Sequence, residues 1–203
     1  AQPIIFANNF VHYEGSNATA PTGLLVKNKA HVKIYNNTFM VKNQGAAANC
    51  IWLDNNNARS LDGVEVRNNV MTLKNSGSGQ FIYCGSATVG ARFKNIVVDH
   101  NNYYAPNGYF KTIIPNGTGI STYTSLSALK ANTKGWATGA LNVDPGFVSA
   151  TDLHATSFAM NDSAAVISII TTDIDGDIRS LTMPDMGADE YTPSPCQPPA
   201  SVN

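Results

Sequence analysis

The sequence is poor in charge, in cysteine and in long apolar runs. Asp, Glu, Lys and Arg make up 13% of its 203 residues, against roughly 25% in an ordinary soluble domain. The net charge is −1 and the isoelectric point is near 6.5. Nothing in that balance suggests a nucleic-acid partner, which needs a basic stripe to displace counterions from phosphates. No apolar run is long enough to span a bilayer, so no membrane insertion is expected. There is no leader-like start either: Ala1-Gln2-Pro3 runs straight into Ile4-Ile5-Phe6 without a basic stretch, and the expectation is a chain processed or cut from a longer one. The three cysteines, Cys50, Cys84 and Cys196, are odd in number and fit no zinc or redox spacing. Two buried thiols and one tail thiol are expected, with a Cys50–Cys84 bridge between neighbouring coils as the alternative. Before residue 120 helix-period patterning is nearly absent, which argues against a globular α/β domain.

What fills the space is asparagine, 23 residues of it, arranged in a repeat. The blocks are Ile4-Ile5-Phe6-Ala7-Asn8-Asn9, Val32-Lys33-Ile34-Tyr35-Asn36-Asn37, Val64-Glu65-Val66-Arg67-Asn68-Asn69 and Ile96-Val97-Val98-Asp99-His100-Asn101-Asn102. The Asn-Asn pairs lie 28, 32 and 33 residues apart, and spacings of this size mark arrays of stacked units. Each block alternates apolar and polar residues, the period of a strand with one buried face. Val32, Ile34, Val64 and Val66 are expected to point in, and Lys33, Tyr35, Glu65 and Arg67 out. The fourth block carries one extra residue before its Asn pair, which reads as a bulge at His100.

Between the blocks lie Leu24-Leu25-Val26, Cys50-Ile51-Trp52-Leu53 and Phe81-Ile82-Tyr83-Cys84, so each coil carries at least two strands. Asn accepts left-handed turn geometry, and stacked Asn amides can bond along the stack as a ladder. No coil could bury its apolar face alone; its neighbours must cover it. The expected fold is all-β: a right-handed parallel β-helix, a solenoid with one short decorating helix and a C-terminal cap region. That helix is expected over Thr124–Asn132, capped by Thr124 or Ser125 and ended by Gly135.

The C-terminal stretch is the most specific. It runs through Asp144-Pro145-Gly146-Phe147, Asp152-Leu153-His154, Asp173-Ile174-Asp175-Gly176-Asp177 and Pro184-Asp185-Met186-Gly187-Ala188-Asp189-Glu190-Tyr191. In that order these resemble the closing module of bacterial right-handed parallel β-helix repeat proteins, often secreted or surface-anchored. With the Asn-Asn coils the resemblance covers nearly all of residues 1–191, with the closing module from about 124. The Ser-Pro-x-Ile segment of that module appears only as the looser Asn161-Asp162-Ser163-Ala164-Ala165-Val166. Residues 192–203 read as a stiff Pro-rich linker to a further module.

Three clusters are candidate sites. Asp173, Asp175 and Asp177 alternate around Gly176 as in calcium loops, where oxygens at i, i+2 and i+4 converge on one cation. No bidentate Glu follows at the motif's position, so an Asp-rich turn is the plainer reading. Asp185, Asp189 and Glu190 would add ligands or face water. The outward row Tyr35, Arg67 and His100, with Lys33 and Glu65 beside it, has the residue types of a polysaccharide lyase: a cation for the uronate and a base for the α-proton. Glycoside hydrolysis needs two facing carboxylates, and Glu14, Asp54, Asp62, Glu65 and Asp99 form no evident pair. Trp52 and Tyr83 occupy matched positions, as a core or flank stack or as a sugar platform. His12, His31 and His154 lack metal-like spacing.

These features support three functions. The first is a non-catalytic, glycan- or surface-contacting region of a larger extracellular or cell-surface bacterial protein. The second is the C-terminal part of a polysaccharide lyase or glycoside hydrolase. The third is a structural protein that self-associates end to end into filaments.

Overall fold

A computed structural model of the chain describes residues 2–15, 20–43, 47–55, 61–74, 78–85, 93–116, 119–132 and 134–193. Cys196 and most of the Pro-rich tail lie outside the described residues. Three strands are laid down and the pattern then starts again. The first set is β1 (Ile4–Ala7), β2 (Phe10–Gly15) and β3 (Thr22–Lys27). The second is β4 (Val32–Tyr35), β5 (Thr38–Asn43) and β6 (Ala48–Asp54). The third is β7 (Glu65–Arg67), β8 (Val70–Leu73) and β9 (Gly79–Gly85). The fourth is β10 (Val97–Asp99), β11 (Asn102–Tyr104) and β12 (Thr112–Asn116). Each strand pairs in parallel with its counterpart in the next set, which builds three sheets: β1-β4-β7-β10, β2-β5-β8-β11 and β3-β6-β9-β12. A set therefore holds three strands, one more than the minimum read from the sequence; the extra strand is the stretch just after each Asn pair.

Register places like residues on top of one another. Phe6, Ile34 and Val66 are aligned, and Val98 continues the row. In the second sheet Val11, Phe39, Met71 and Tyr103 are aligned. Ile34, Val66, Val98, Phe39, Met71, Leu53 and Phe81 are fully buried and form one core between the sheets. Each such side chain contributes about 1.5–3 kcal/mol relative to exposure. Phe81, Tyr103 and Phe110 close the core with ring centroids 5.4–5.6 Å apart. Cys50 and Cys84 are buried and unbonded to each other, and burial pushes both thiols well above their ordinary value.

The Asn pairs divide their labour. Asn8, Asn36 and Asn68 turn the corner in the left-handed region, with φ of 55°, 49° and 59°. Their partners Asn9, Asn37, Asn69 and Asn101 form a ladder. Nδ2 donates to the next Oδ1 at 2.9, 3.0 and 3.0 Å. The same Oδ1 atoms accept the backbone N–H of the preceding Asn at 3.1, 3.0 and 2.9 Å.

The fourth corner corrects the expected bulge. Val97, Val98 and Asp99 pair with Glu65, Val66 and Arg67 without slippage. His100 takes the left-handed corner (φ 48°) that Asn holds in the other sets, and Asn101 takes the ladder position 32 residues after Asn69. The visible Asn101-Asn102 pair is thus one position out of frame, and no residue is inserted.

Stacking stops at β12, which pairs antiparallel with β13 (Gly119–Tyr123). Helix α1 (Leu126–Lys130) follows, with Ser125 as its N-cap accepting from Ala128 N. It ends at Ala131, earlier than Gly135. Among the described residues no helix is long and apolar enough to cross a membrane.

Residues 134–193 then run back along the corner between the first two sheets. Ala137 N donates to Val98 O, and Leu141 bridges Asn102 in the fourth set. Ala165 exchanges two hydrogen bonds with the Asn68 side chain in the third. Asn36 reaches Asp185 O, and Ala188 N reaches Thr38 Oγ1, in the second. Asn8 meets Thr172 O and the Arg179 guanidinium in the first. The corner asparagines are the receptors for this segment, an outcome of their outward side chains and left-handed backbone.

Candidate functional site

The outward face of the first sheet collects the predicted polar row. Pairing aligns Lys33 with Glu65 and Tyr35 with Arg67. Lys33 Nζ donates to Glu65 Oε1 and the Tyr35 hydroxyl to Glu65 Oε2, both at 2.5 Å, and the Arg67 guanidinium is 3.9 Å from Oε2. Burial opposes ionisation of Glu65, and the hydrogen bonds from Lys33 and Tyr35 outweigh it, so its carboxyl sits below the usual value. Tyr35 faces outward yet is 5% exposed. Burial first, and the hydrogen bond to Glu65 second, push its phenol well above its ordinary value.

His100 does not join this row. Asp99 stands where Arg67 stands one set earlier. The His100 ring lies over Gly139, where a Cβ would come within 2.2 Å of it, and Nδ1 is 3.0 Å from Asp99 Oδ2. The chemistry of the remaining cluster is unfavourable to catalysis. A lyase base must release its proton easily, and Tyr35 holds its own more tightly than a free phenol. A hydrolase carboxylate must face substrate, and both Glu65 oxygens are committed to Lys33 and Tyr35. The cluster ties β4 to β7.

The outward face of the third sheet carries a different row: Leu25, Trp52, Tyr83 and Ile113, aligned strand by strand. Trp52 and Tyr83 are half-buried, with ring centroids 5.5 Å apart at 54°. They lie outside the core, tilted against each other. Asn49, Gln80 and Lys111 line a shallow pocket of about 390 Å³ beside them. Among the described residues, Asn49 Oδ1 and Trp52 Nε1 are buried atoms without a hydrogen-bond partner. Gly85 admits the indole: a Cβ there would lie 2.7 Å from Trp52 Nε1. The row thus offers two partly exposed rings, the Gln80 amide and the Lys111 ammonium group, while Asn49 Oδ1 and Trp52 Nε1 lie beneath the surface.

The Asp-rich turn is organised around its first aspartate. Asp173 is buried, and its Oδ1 accepts from the N–H groups of Asp175 and Asp177 at 2.9 and 2.8 Å, its Oδ2 from Glu190 N at 2.9 Å. Three backbone N–H groups thus occupy most of the acceptor capacity of Asp173 and hold the turn together. Asp185 accepts from Asp162 N and Tyr191 N. Glu190 accepts from the Arg179 guanidinium, Ser180 N and Asp185 N. Arg179 is 3% exposed and also donates to Gly187 O and Asn8 Oδ1. These motif residues secure the closing segment.

His154 is the residue that spacing failed to flag. Nδ1 bonds Asp152, and Nε2 lies 2.8 Å from Asp175 Oδ2, 21 residues away. The hydrogen bond to Asp152 comes first, burial opposes it, and Asp175 adds to it; together they raise the imidazole to about 9. The signal present in the sequence was a pair of short Asp-bearing motifs on either side of residues 155–172, readable only once both are known to close the same segment.

No family model, curated protein or solved structure matches the chain.

Proposed function

We propose that this chain is a non-catalytic, glycan-contacting part of a right-handed parallel β-helix, belonging to a larger secreted or cell-surface bacterial protein. Every third strand stacking on its counterpart, with an internal Asn ladder, supports the β-helix reading. The order of the closing motifs supports the likeness to bacterial β-helix repeat proteins.

One observation carries the glycan reading: Trp52 and Tyr83 present adjacent, partly exposed rings beside a shallow pocket lined by Gln80 and Lys111. Sugars offer apolar C–H faces to rings and hydroxyls to such donors and acceptors. The lyase or hydrolase reading is weaker, because Tyr35 and Glu65 satisfy one another. The test is affinity electrophoresis through gels holding a panel of neutral and acidic polysaccharides. At least one polymer is expected to retard the chain without being cleaved, and W52A is expected to weaken that retardation at least tenfold. Retardation by none, or retardation unchanged in W52A, removes this face as the contact.

A second reading, end-to-end self-association, is favoured by a separate observation. β1, β2 and β3 each form the outer strand of their sheet at the same end, and Ile4, Ile5 and Leu25 there are 53%, 46% and 49% exposed. Open strand edges template pairing. A mass that rises with concentration, measured by light scattering, supports it; a constant monomer mass removes it.

A further inference from the structure

The closing segment brings a histidine and several carboxylates together from three separate stretches of chain. One atom each from His154, Asp175 and Asp189 lie within 4.8 Å of one another. Asp152 holds the far side of the imidazole through Nδ1. Phe10 of β2 packs edge-on against the ring, centroids 4.9 Å apart, and fixes its plane. Asp189 is 7% exposed. The Ala155 N–H donates to it, and His154, Asp173 and Asp175 are its charged neighbours. A divalent cation among these groups would offset the charge of the clustered carboxylates.

We propose that His154, Asp175 and Asp189 bind a divalent first-row transition metal of the zinc(II) type. The ligand set is one imidazole nitrogen and two carboxylate oxygens. Imidazole suits zinc and its neighbours, whereas calcium takes oxygen ligands. Asp152 supplies the outer contact common around such centres: a carboxylate accepting Nδ1–H, which turns the Nε2 lone pair toward the cation. On binding, the Nε2–H proton leaves to solvent and a nitrogen–metal bond replaces the hydrogen bond to Asp175. The cation's two positive charges balance the two carboxylates. Three protein ligands leave room for water in the remaining coordination. The site joins the 152–154, 173–177 and 185–191 stretches beneath β2, so the metal acts as a clip on the closing segment. None of these residues belongs to the third-sheet face used in the glycan reading.

The test is isothermal titration of the full chain with zinc(II), followed by cobalt(II) titration read by visible absorption. The expected result is one zinc per chain and a cobalt spectrum of mixed nitrogen and oxygen coordination. D175N alters an exposed group and can keep the hydrogen bond to His154, so it is expected to fold; it should weaken zinc at least tenfold with an unchanged circular dichroism spectrum. D177N, on the same turn but outside the cluster, should bind as the parent does. Absence of saturable zinc or cobalt binding up to millimolar concentration overturns the proposal. So does equal affinity in D175N, which would place the metal on other histidines such as His12 or His31. Preferential binding of calcium(II) also overturns it, because the imidazole would then have no part.

Discussion

Asn69 shows how much a single side chain does in this architecture. Its Nδ2 donates to Ile34 O, Arg67 O and Asn101 Oδ1, while its Oδ1 accepts from both the backbone and the side chain of Asn37. All of this happens in a residue with no exposed surface. N69A would strand several buried donors and acceptors, each worth about 1–3 kcal/mol. The expected loss is at least about 3 kcal/mol in urea unfolding, whereas N107A, which removes an exposed acceptor of the Tyr109 N–H, should lose less. Asp185 gives a pH signature. It is 2% exposed, and burial pushes its carboxyl up to about 6, with Glu190 and Asp162 repelling it and the Tyr191 and Asp162 N–H groups opposing the rise. A raised acid is more easily protonated in the folded state. Its contribution is therefore fully present below the ordinary value of 3.8 and lost as pH rises through about 6. D185N removes that component, so the stability difference between parent and variant should shift by about 2 kcal/mol between pH 4 and pH 7. A difference that is flat across that range contradicts the assignment.

At the scale of elements, the strands of the first sheet could be read from alternation, because Val32, Ile34, Val64 and Val66 do lie inside. The strands of the second sheet were harder to read: Phe39, Met40 and Val41 are all buried, since the closing segment covers the face that would otherwise show polar residues. The same cover hid the meaning of the corner asparagines, whose partners lie 97 to 171 residues away. The frame at His100 was misread because a visible Asn-Asn pair is a weaker guide to register than the strand pairing itself. The docking of the closing segment depends on Gly187. It adopts φ +98°, and a Cβ there would lie 2.8 Å from Thr38 Oγ1 and 3.0 Å from Val70 Cγ2. G187A should cost about 2 kcal/mol or more and raise protease sensitivity within residues 160–193 before the stacked strands unfold. Simultaneous loss of both regions would mean that the segment and the stack form one cooperative unit.

For the whole molecule, three sheets meet around one core and leave three outward faces with different fates. The first two share the corner taken by the closing segment, and Lys33, Tyr35 and Glu65 are bound to one another. The third keeps a partly exposed aromatic row. From the sequence, the Tyr35–Arg67–His100 row was the stronger candidate, because residue type does not disclose whether a side chain is already satisfied; distances do. The proposed glycan contact falls on the third sheet. Trp52 is a built-in reporter there, since the chain's other tryptophan, Trp136, is buried and donates to Ile96 O. The most direct measurement is a tryptophan emission titration with a polysaccharide that retards the chain. A saturable change in emission that disappears in W52F, while W52F still binds, is the predicted result. Saturable binding that leaves Trp52 emission unchanged, or an emission change that persists in W52F, would contradict it.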